Sequence, residues 1–185
     1  DEVIFDFMNS FEKYLQSNNL SFSWNSYALN GNILNNNNKA LNKDEVHKLI
    51  NNFFKSKTTN MKLVKGAKSS LHKLAQSFNI LVLSNIPFEF YKERQIALKK
   101  YDLNFPFFAN KGHKGKAVAY ISKIYKGDIW FIDDSPYQIK SVKQEAKNIN
   151  TILFIINKKL ENLINNKNYG DFFSNTWKKN TKIIL

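Results

Sequence analysis

The chain has 185 residues, of which 43% are apolar, and it carries a formal net charge of +13. This length is enough to bury one sizeable core and leaves little room for two independent domains, so we expect one domain. Apolar runs are far shorter than a membrane span, and the absence of cysteine excludes a disulfide framework and a cysteine nucleophile. We therefore expect no membrane partner and a cytoplasmic location.

Nearly all of the positive charge comes from lysine, since Arg94 is the only arginine. Arginine reads phosphates and base edges with a two-pronged fork, so a specific nucleic-acid reader with one arginine would be unusual. The lysines accompany many asparagines and isoleucines, which indicates a compositional bias at a solvated surface. We expect specific nucleic-acid binding to be absent and a weak attraction for anionic substrates to remain.

The first third of the chain is predicted to be helical. Residues 8–65 contain two amphipathic stripes and no convincing buried strand. Between the stripes, residues 30–38 are rich in asparagine and predict a mobile surface loop. We interpret this part as a helical insertion of the kind that caps an active site.

From Asn79 onward, short apolar runs alternate with amphipathic stretches, as is typical of a parallel sheet covered by helices. The predicted strands are residues 79–84, 105–110, 128–133 and 151–157. The predicted helices are residues 67–78, 87–102, 115–126 and 136–147. Each helix after the first strand has a length suited to a right-handed crossover between parallel strands.

Polar side chains follow these strands at the edge of the sheet where ligands bind in open α/β folds. The third predicted strand ends in Asp133 and Asp134, two adjacent carboxylates that are costly to bury together without a cation. Mg²⁺ prefers such oxygen ligands and can bridge them to a substrate phosphate. An alternative is purely structural, because Asp134 or Ser135 could cap the helix that Pro136 opens.

Two further segments could contact a phosphate. Ser84 and Asn85 follow the first predicted strand, where a hydroxyl and nearby N–H groups could hold a phosphate oxygen at a helix start. An ordinary helix cap is the alternative for Ser84. Residues 110–121 form a glycine-bracketed basic loop that opens a helix, and from it Lys114, or less readily Lys116, could neutralise a phosphate or the carboxylates.

The order of these segments resembles motifs two, three and four of the haloacid dehalogenase superfamily, with Ser84, Lys114, Asp133 and Asp134 in the matching places. The resemblance extends from about residue 79 to residue 157 and implies a three-layer, Rossmann-like α/β fold with a parallel sheet. It also implies that residues 1–7 and 66–185 form the core and that residues 8–65 form a small helical cap.

The activity that the resemblance implies is Mg²⁺-dependent hydrolysis of a small phosphomonoester, such as a nucleotide, through an aspartyl-phosphate. Asp133 would bind the metal with support from Asp134, while Ser84, Asn85 and Lys114 would hold the phosphate. The sequence names neither the substrate nor the oligomeric state.

The family's first motif, Asp-x-Asp, does not occur. One alignment makes Asp6 the nucleophile after a short strand, but Met8 then stands in the place of the general acid and cannot donate a proton. The other alignment, which we prefer, resembles deoxynucleotidase-like members and makes Asp1 the general acid and a metal ligand, with Glu2 in a place usually held by glycine. The nucleophile and its strand would then precede Asp1. The alternative function is therefore a catalytically incomplete relative that binds metal or phosphate, or that acts as an assembly module.

Overall fold

A computed structural model of the chain describes residues 1–125, 127–165 and 167–185. In this part the strands are β1 (Ser21–Phe22), β2 (Ile33–Leu34), β3 (Val82–Asn85), β4 (Phe107–Asn110), β5 (Trp130–Asp133), β6 (Asn150–Phe154) and β7 (Phe172–Ser174). The α-helices are α1 (Phe7–Ser17), α2 (Lys43–Lys57), α3 (Ala67–Leu74), α4 (Tyr91–Lys100), α5 (Gly115–Ile124), α6 (Pro136–Glu145), α7 (Lys158–Glu161) and α8 (Trp177–Ile184). None of these helices is long and apolar enough to cross a membrane.

The strands of the α/β part are parallel and fall into two groups. β3 pairs with β4, in a register that places Ser84 opposite Ala109 and Asn85 opposite Asn110. β5, β6 and β7 form the second group, with Asp133 opposite Leu153. In the described part of the chain, no ladder of hydrogen bonds joins β3 to β5.

The four predicted core strands all form, and the main differences lie at their ends. The first begins at Val82 rather than residue 79, and the last ends at Phe154 rather than residue 157. The predicted helix at 87–102 begins instead with a 3₁₀ turn, Phe88–Phe90. α5 ends at Ile124, and the predicted end of that helix at Lys126 lies outside the described residues.

Both faces of the parallel strands are covered. On one face lies an apolar cluster of Val118 from α5, Val142 from α6, and Ala146 and Ile149 from the segment after α6. The other face belongs to the main core, which also contains the aromatic side chains of the first third of the chain. The predicted three-layer arrangement follows from this coverage.

Residues 8–65 pack through aromatic rings. The rings of Phe11 and Phe53 meet edge to face with centroids 5.1 Å apart, which fixes α1 against α2. Phe54 of α2 stacks on Phe90 beside α4, with centroids 6.1 Å apart. α2 begins at a capping box in which Asn42 and Glu45 exchange hydrogen bonds with each other's backbone.

The prediction that residues 8–65 lack strands is wrong for one hairpin. β1 and β2 pair antiparallel, and the Ile33 side chain is fully buried. The side chain of Asn32 accepts from Ser23 Oγ and donates to Ser26 Oγ, each at 2.7 Å, so residues 30–38 are not simply a surface loop. Strands of two residues are too short for an alternating pattern to reveal.

The first five residues form no strand. Glu2 has a positive φ of 60°, and its N–H donates to the carbonyl of Phe5 at 2.7 Å in a tight turn. Phe5 then makes one antiparallel bridge with Leu63. The short strand that the Asp6 alignment requires is therefore not present.

Candidate active site

The carboxyl ends of β3, β4 and β5 converge on the loop that leads into α5. The carbonyl of Gly112 accepts from the side-chain amides of Asn85 at 2.8 Å, Asn110 at 3.2 Å and Gln138 at 3.1 Å. Gly112 has a φ of 80°, which favours glycine and turns its carbonyl towards these donors. The loop that contains Gly112 thus connects the carboxyl ends of β3 and β4 to the start of α6 through hydrogen bonds.

Lys114 and Asp133 form a buried ion pair at this convergence. The Nζ of Lys114 lies 2.7 Å from Oδ2 of Asp133, and both side chains are buried. The other oxygen of Asp133 accepts from the backbone N–H of Ser135 at 3.0 Å. The Lys114 N–H donates to Oε1 of Gln138 at 2.8 Å, so the backbone of the lysine is held as well as its side chain.

Close packing of α5 on α6 sets the position of Lys114. A Cβ on Gly115 would lie 2.3 Å from the carbonyl oxygen of Ser141, so only glycine fits. The Gly115 N–H donates to Oγ of Ser141 at 3.1 Å. The glycine that follows Lys114 therefore brings the start of α5 against α6 and directs the lysine towards β5.

Asp134 carries the perturbed carboxylate of the site. Its pKa is raised to about 8, first by burial and then by the neighbouring charges of Asp133 and Glu2. The hydroxyl of Tyr27 donates to the Asp134 carbonyl at 3.4 Å, and burial followed by the charge of Asp134 raises the pKa of that phenol. Asp134 does not cap α6, whose first turn receives no side-chain hydrogen bond from Ser135 either.

Ser84 and Asn85 differ in what they offer a ligand. The Ser84 side chain is buried, and its hydroxyl makes no hydrogen bond to another described residue. The Asn85 amide donates to Gly112, while its Oδ1 accepts from Asn110 at 2.7 Å. Ser84 is thus available to a phosphate oxygen, whereas the Asn85 side chain is engaged in holding the loop.

The two candidate acids near the amino end lie in different places. Asp1 pairs with the buried Arg94 at 2.7 Å, and its backbone nitrogen interacts electrostatically with Lys114, Asp133 and Asp134. Asp6 accepts instead from Asn9 at 2.8 Å. It lines a cavity of about 330 Å³ with Glu2 and Lys158. The structure therefore places Asp1, rather than Asp6, beside the strand-end group.

Three side chains near this group were not predicted. Burial raises the pKa of Glu2 to about 7, and its Oε1 accepts from the Met8 N–H at 2.5 Å. Tyr27 and Arg94 are the other two. Arg94 stood out in the sequence only as the single arginine, and nothing in the local pattern separates Tyr27 or Glu2 from surface residues.

Asp133 and Asp134 supply oxygen ligands of the type that Mg²⁺ prefers. Among the described residues, no three histidine, cysteine, aspartate or glutamate side chains are grouped closely enough to hold a metal ion. The pKa of Asp134 is nonetheless raised, first by burial and then by the negative charges of Asp133 and Glu2. These two carboxylates fit part of a magnesium site, with water or substrate oxygens completing it. Lys116 is exposed and Lys114 is buried, which favours Lys114 as the functional lysine.

The layers, the parallel strands and the strand-end residues together define a haloacid dehalogenase-like fold, and comparison with solved structures confirms the predicted fold class. The chain is similar to a hydrolase described as a haloacid dehalogenase-like family protein, from Streptococcus pneumoniae, with a TM-score of 0.58 and 12% identity. The match covers 78% of this chain and 72% of that one. No protein-family model matches the sequence, and no curated protein matches it.

Proposed function

We propose that this protein is an Mg²⁺-dependent phosphohydrolase that acts on a small phosphomonoester. The observation that carries the proposal is the buried pair of Lys114 and Asp133 at the sheet edge, with the protonatable Asp134 beside it. Ser84 lies near the carboxyl end of β3. Groups of this kind bind phosphate oxygens and a divalent cation. The likeness to a structure described as a hydrolase supports the same class.

In this proposal each residue has a separate task. Ser84 and Lys114 bind oxygens of the phosphate, and Asp133 with Asp134 holds Mg²⁺. Bound Mg²⁺ would neutralise charge on the phosphate. Asp1 would give a proton to the leaving oxygen as the ester is hydrolysed. Arg94 orients the Asp1 carboxylate through their ion pair.

The test is hydrolysis of an aryl phosphate by the purified chain, with Mg²⁺ and with a chelator. We expect turnover that requires Mg²⁺, and a loss of roughly 100-fold or more for Asp133→Asn. Asp128→Asn is the matched control, because this exposed aspartate lies just before the amino end of β5, away from the site. Absence of turnover across a broad panel of phosphate esters would reject the proposal.

A second candidate is a catalytically incomplete protein that binds Mg²⁺ or phosphate. The position of Asp6 favours it, since this carboxylate lines a cavity that neither Ser84 nor Lys114 lines. The ion pair of Asp1 with Arg94 likewise engages the remaining candidate acid. Calorimetric binding of Mg²⁺ without turnover would favour this second function over the first.

A further inference from the structure

The cavity that Asp6 lines has a volume of about 330 Å³. Its other lining residues come from α1, from the segment that precedes α3 and from the segment that leads from β6 into α7. The volume is at the lower end of the range for small-molecule sites, which is about 300–1,000 Å³. None of Ser84, Lys114 and Asp133 lines this space. We call it the α1–α7 cavity.

Hydrogen bonds hold α1 and α7 together at this cavity. Oε1 of Glu12 accepts from Nε1 of Trp24 at 3.0 Å and from Nζ of Lys159 at 2.8 Å. The side chain of Asn157 accepts from the Lys159 N–H at 2.9 Å and so caps the start of α7. Glu12, Asn157 and Lys159 all line the cavity, and these bonds fix their positions. This part of the lining is therefore preorganised.

Four charged side chains that line the cavity have no partner of opposite charge. They are two acids and two lysines: Glu2, Asp6, Lys65 and Lys158. None of the ion pairs among the described residues includes any of the four. Opposite charges attract, yet these acids and lysines share one small cavity without pairing. Both kinds of charge are thus available to a ligand.

The two acids are the less accessible charges of the four. Glu2 is only 5% exposed, and its Oε1 accepts from the Met8 N–H. Oδ2 of Asp6 accepts from Nδ2 of Asn9 at 2.8 Å, while its Oδ1 accepts from no described residue. A buried carboxylate without a cation is costly. An ammonium group in the cavity would stabilise both acids.

The two lysines differ from the acids in their exposure. Lys65 and Lys158 are exposed, and neither ammonium group donates to a described residue. Two apolar side chains near them in the sequence, Val64 and Ile156, line the same cavity. The α1–α7 cavity therefore offers acidic, basic and apolar groups to one small ligand.

We propose that the α1–α7 cavity binds a small zwitterion, namely an α-amino acid with an apolar side chain. Its ammonium group donates to Asp6 and Glu2, its carboxylate accepts from Lys65 and Lys158, and its side chain packs on the apolar lining. A ligand with one charge leaves either the acids or the lysines without a partner. A phosphate dianion suits the cavity less well, because the acids repel it. The inference does not depend on the proposed phosphohydrolase.

The test is calorimetry with L-leucine and the full 185-residue chain. It is done at about pH 8, above the pKa of Glu2, which is about 7. 3-Methylbutylamine and 4-methylpentanoate are the matched controls, since each keeps the apolar part of leucine and lacks one charged group. We expect saturable one-to-one binding of leucine, and binding at least about tenfold weaker for each control.

Two outcomes of this titration would overturn the proposal. Equal binding of leucine and of either control would show that one of the two charges is not recognised. Binding of inorganic phosphate in place of leucine would show that the lysines form an anion site and that the acids play no part.

Variants locate the ligand in the cavity. Asp6→Asn and Lys158→Met each remove one charge from the lining, whereas Asp44→Asn and Lys48→Met remove the same charges from exposed positions on α2 that do not line it. We expect the first two to weaken leucine binding about tenfold or more and the last two to leave it unchanged. Melting temperatures without ligand show that each variant is folded. Unchanged binding in both cavity variants would contradict the proposal.

A reversal of charge gives a result that loss of folding cannot imitate. Lys65→Glu combined with Lys158→Glu replaces both basic side chains by acids. We expect this double variant to bind 3-methylbutylamine more tightly than leucine, because the acids attract the ammonium group and repel the carboxylate. A retained preference for leucine would overturn the inference. Turnover of phosphate esters is measured separately and does not enter this test.

Discussion

Asp134 is the residue whose ionisation the fold perturbs most clearly within the candidate site. Burial raises its pKa from 3.8 to about 8, with Asp133 and Glu2 adding to the effect. The folded protein therefore keeps a proton between about pH 4 and pH 8 that the unfolded chain has released. Because the folded state binds more protons over this range, the free energy of unfolding decreases as the pH rises.

Asp134→Asn removes this group and should flatten the pH dependence. We expect the variant to gain stability relative to the original chain at pH 8 and to differ little from it near pH 4, as measured by urea unfolding at several pH values. Part of the slope will remain, because the pKa of Glu2 is also raised, from 4.5 to about 7. An unchanged slope in Asp134→Asn would show that this carboxylate ionises normally.

The ion pair of Lys114 and Asp133 is the second feature at this scale. Removing one partner leaves a buried charge alone, so Lys114→Met and Asp133→Asn should each cost about 3 kcal/mol of unfolding free energy. The double variant should lose clearly less than the sum of the two single variants. Lys116→Met is the control, since Lys116 is exposed on the same helix. Strictly additive losses of stability would contradict a direct interaction between Lys114 and Asp133.

Some of these residues could be recognised in the sequence because the residues next to them along the chain mark their positions. Asp133 and Asp134 directly follow an apolar strand, and Ser84 and Lys114 have recognisable neighbours. Arg94, Glu2 and Tyr27 could not be predicted in the same way. Their importance depends on contacts between distant parts of the chain, such as Arg94 with Asp1 and Tyr27 with Asp134.

At the scale of elements, the junction of α5 with α6 determines where Lys114 lies. Gly115→Ala would place a methyl group 2.3 Å from the Ser141 carbonyl oxygen. We expect Gly115→Ala to lower the unfolding free energy by about 1–3 kcal/mol. In this variant, Lys114→Met should cost less stability than it does in the original chain. Lys116→Ala, one residue further on, should have little effect. A neutral Gly115→Ala would mean that the two helices separate without cost.

Elements whose sequences show a clear hydrophobic pattern were predicted, whereas the shortest elements were not. The strands that became β3 to β6 have continuous apolar runs, and the helices between them are long enough to show amphipathic spacing. β1, β2 and β7 have two or three residues each, which is too few for any period. Their existence depends on partners elsewhere in the chain, such as β6 for β7.

At the scale of the whole molecule, the parallel strands of the described residues form two groups, β3 with β4 and β5 to β7. The candidate site is only partly assembled because its residues come from both groups and no ladder of hydrogen bonds joins them. The fold class followed from the alternation of strands and helices, since connections between parallel strands are strongly restricted. The separation of β3 from β5 could not be predicted from any one segment, because it is a property of pairing between strands. The apolar composition of β5 is the only local sign of it.

The proposed phosphohydrolase requires that Asp133 and Asp134 bind a divalent cation, and titration of the Asp134 carboxyl group by ¹³C NMR tests this most directly. Without Mg²⁺ we expect a pKa of about 8. Saturating Mg²⁺ should lower that pKa by about 2 or more, because a nearby cation stabilises the carboxylate, and Asp133→Asn should abolish the response. A pKa of about 8 that does not change with Mg²⁺ would contradict the metal site and, with it, the proposed phosphohydrolase.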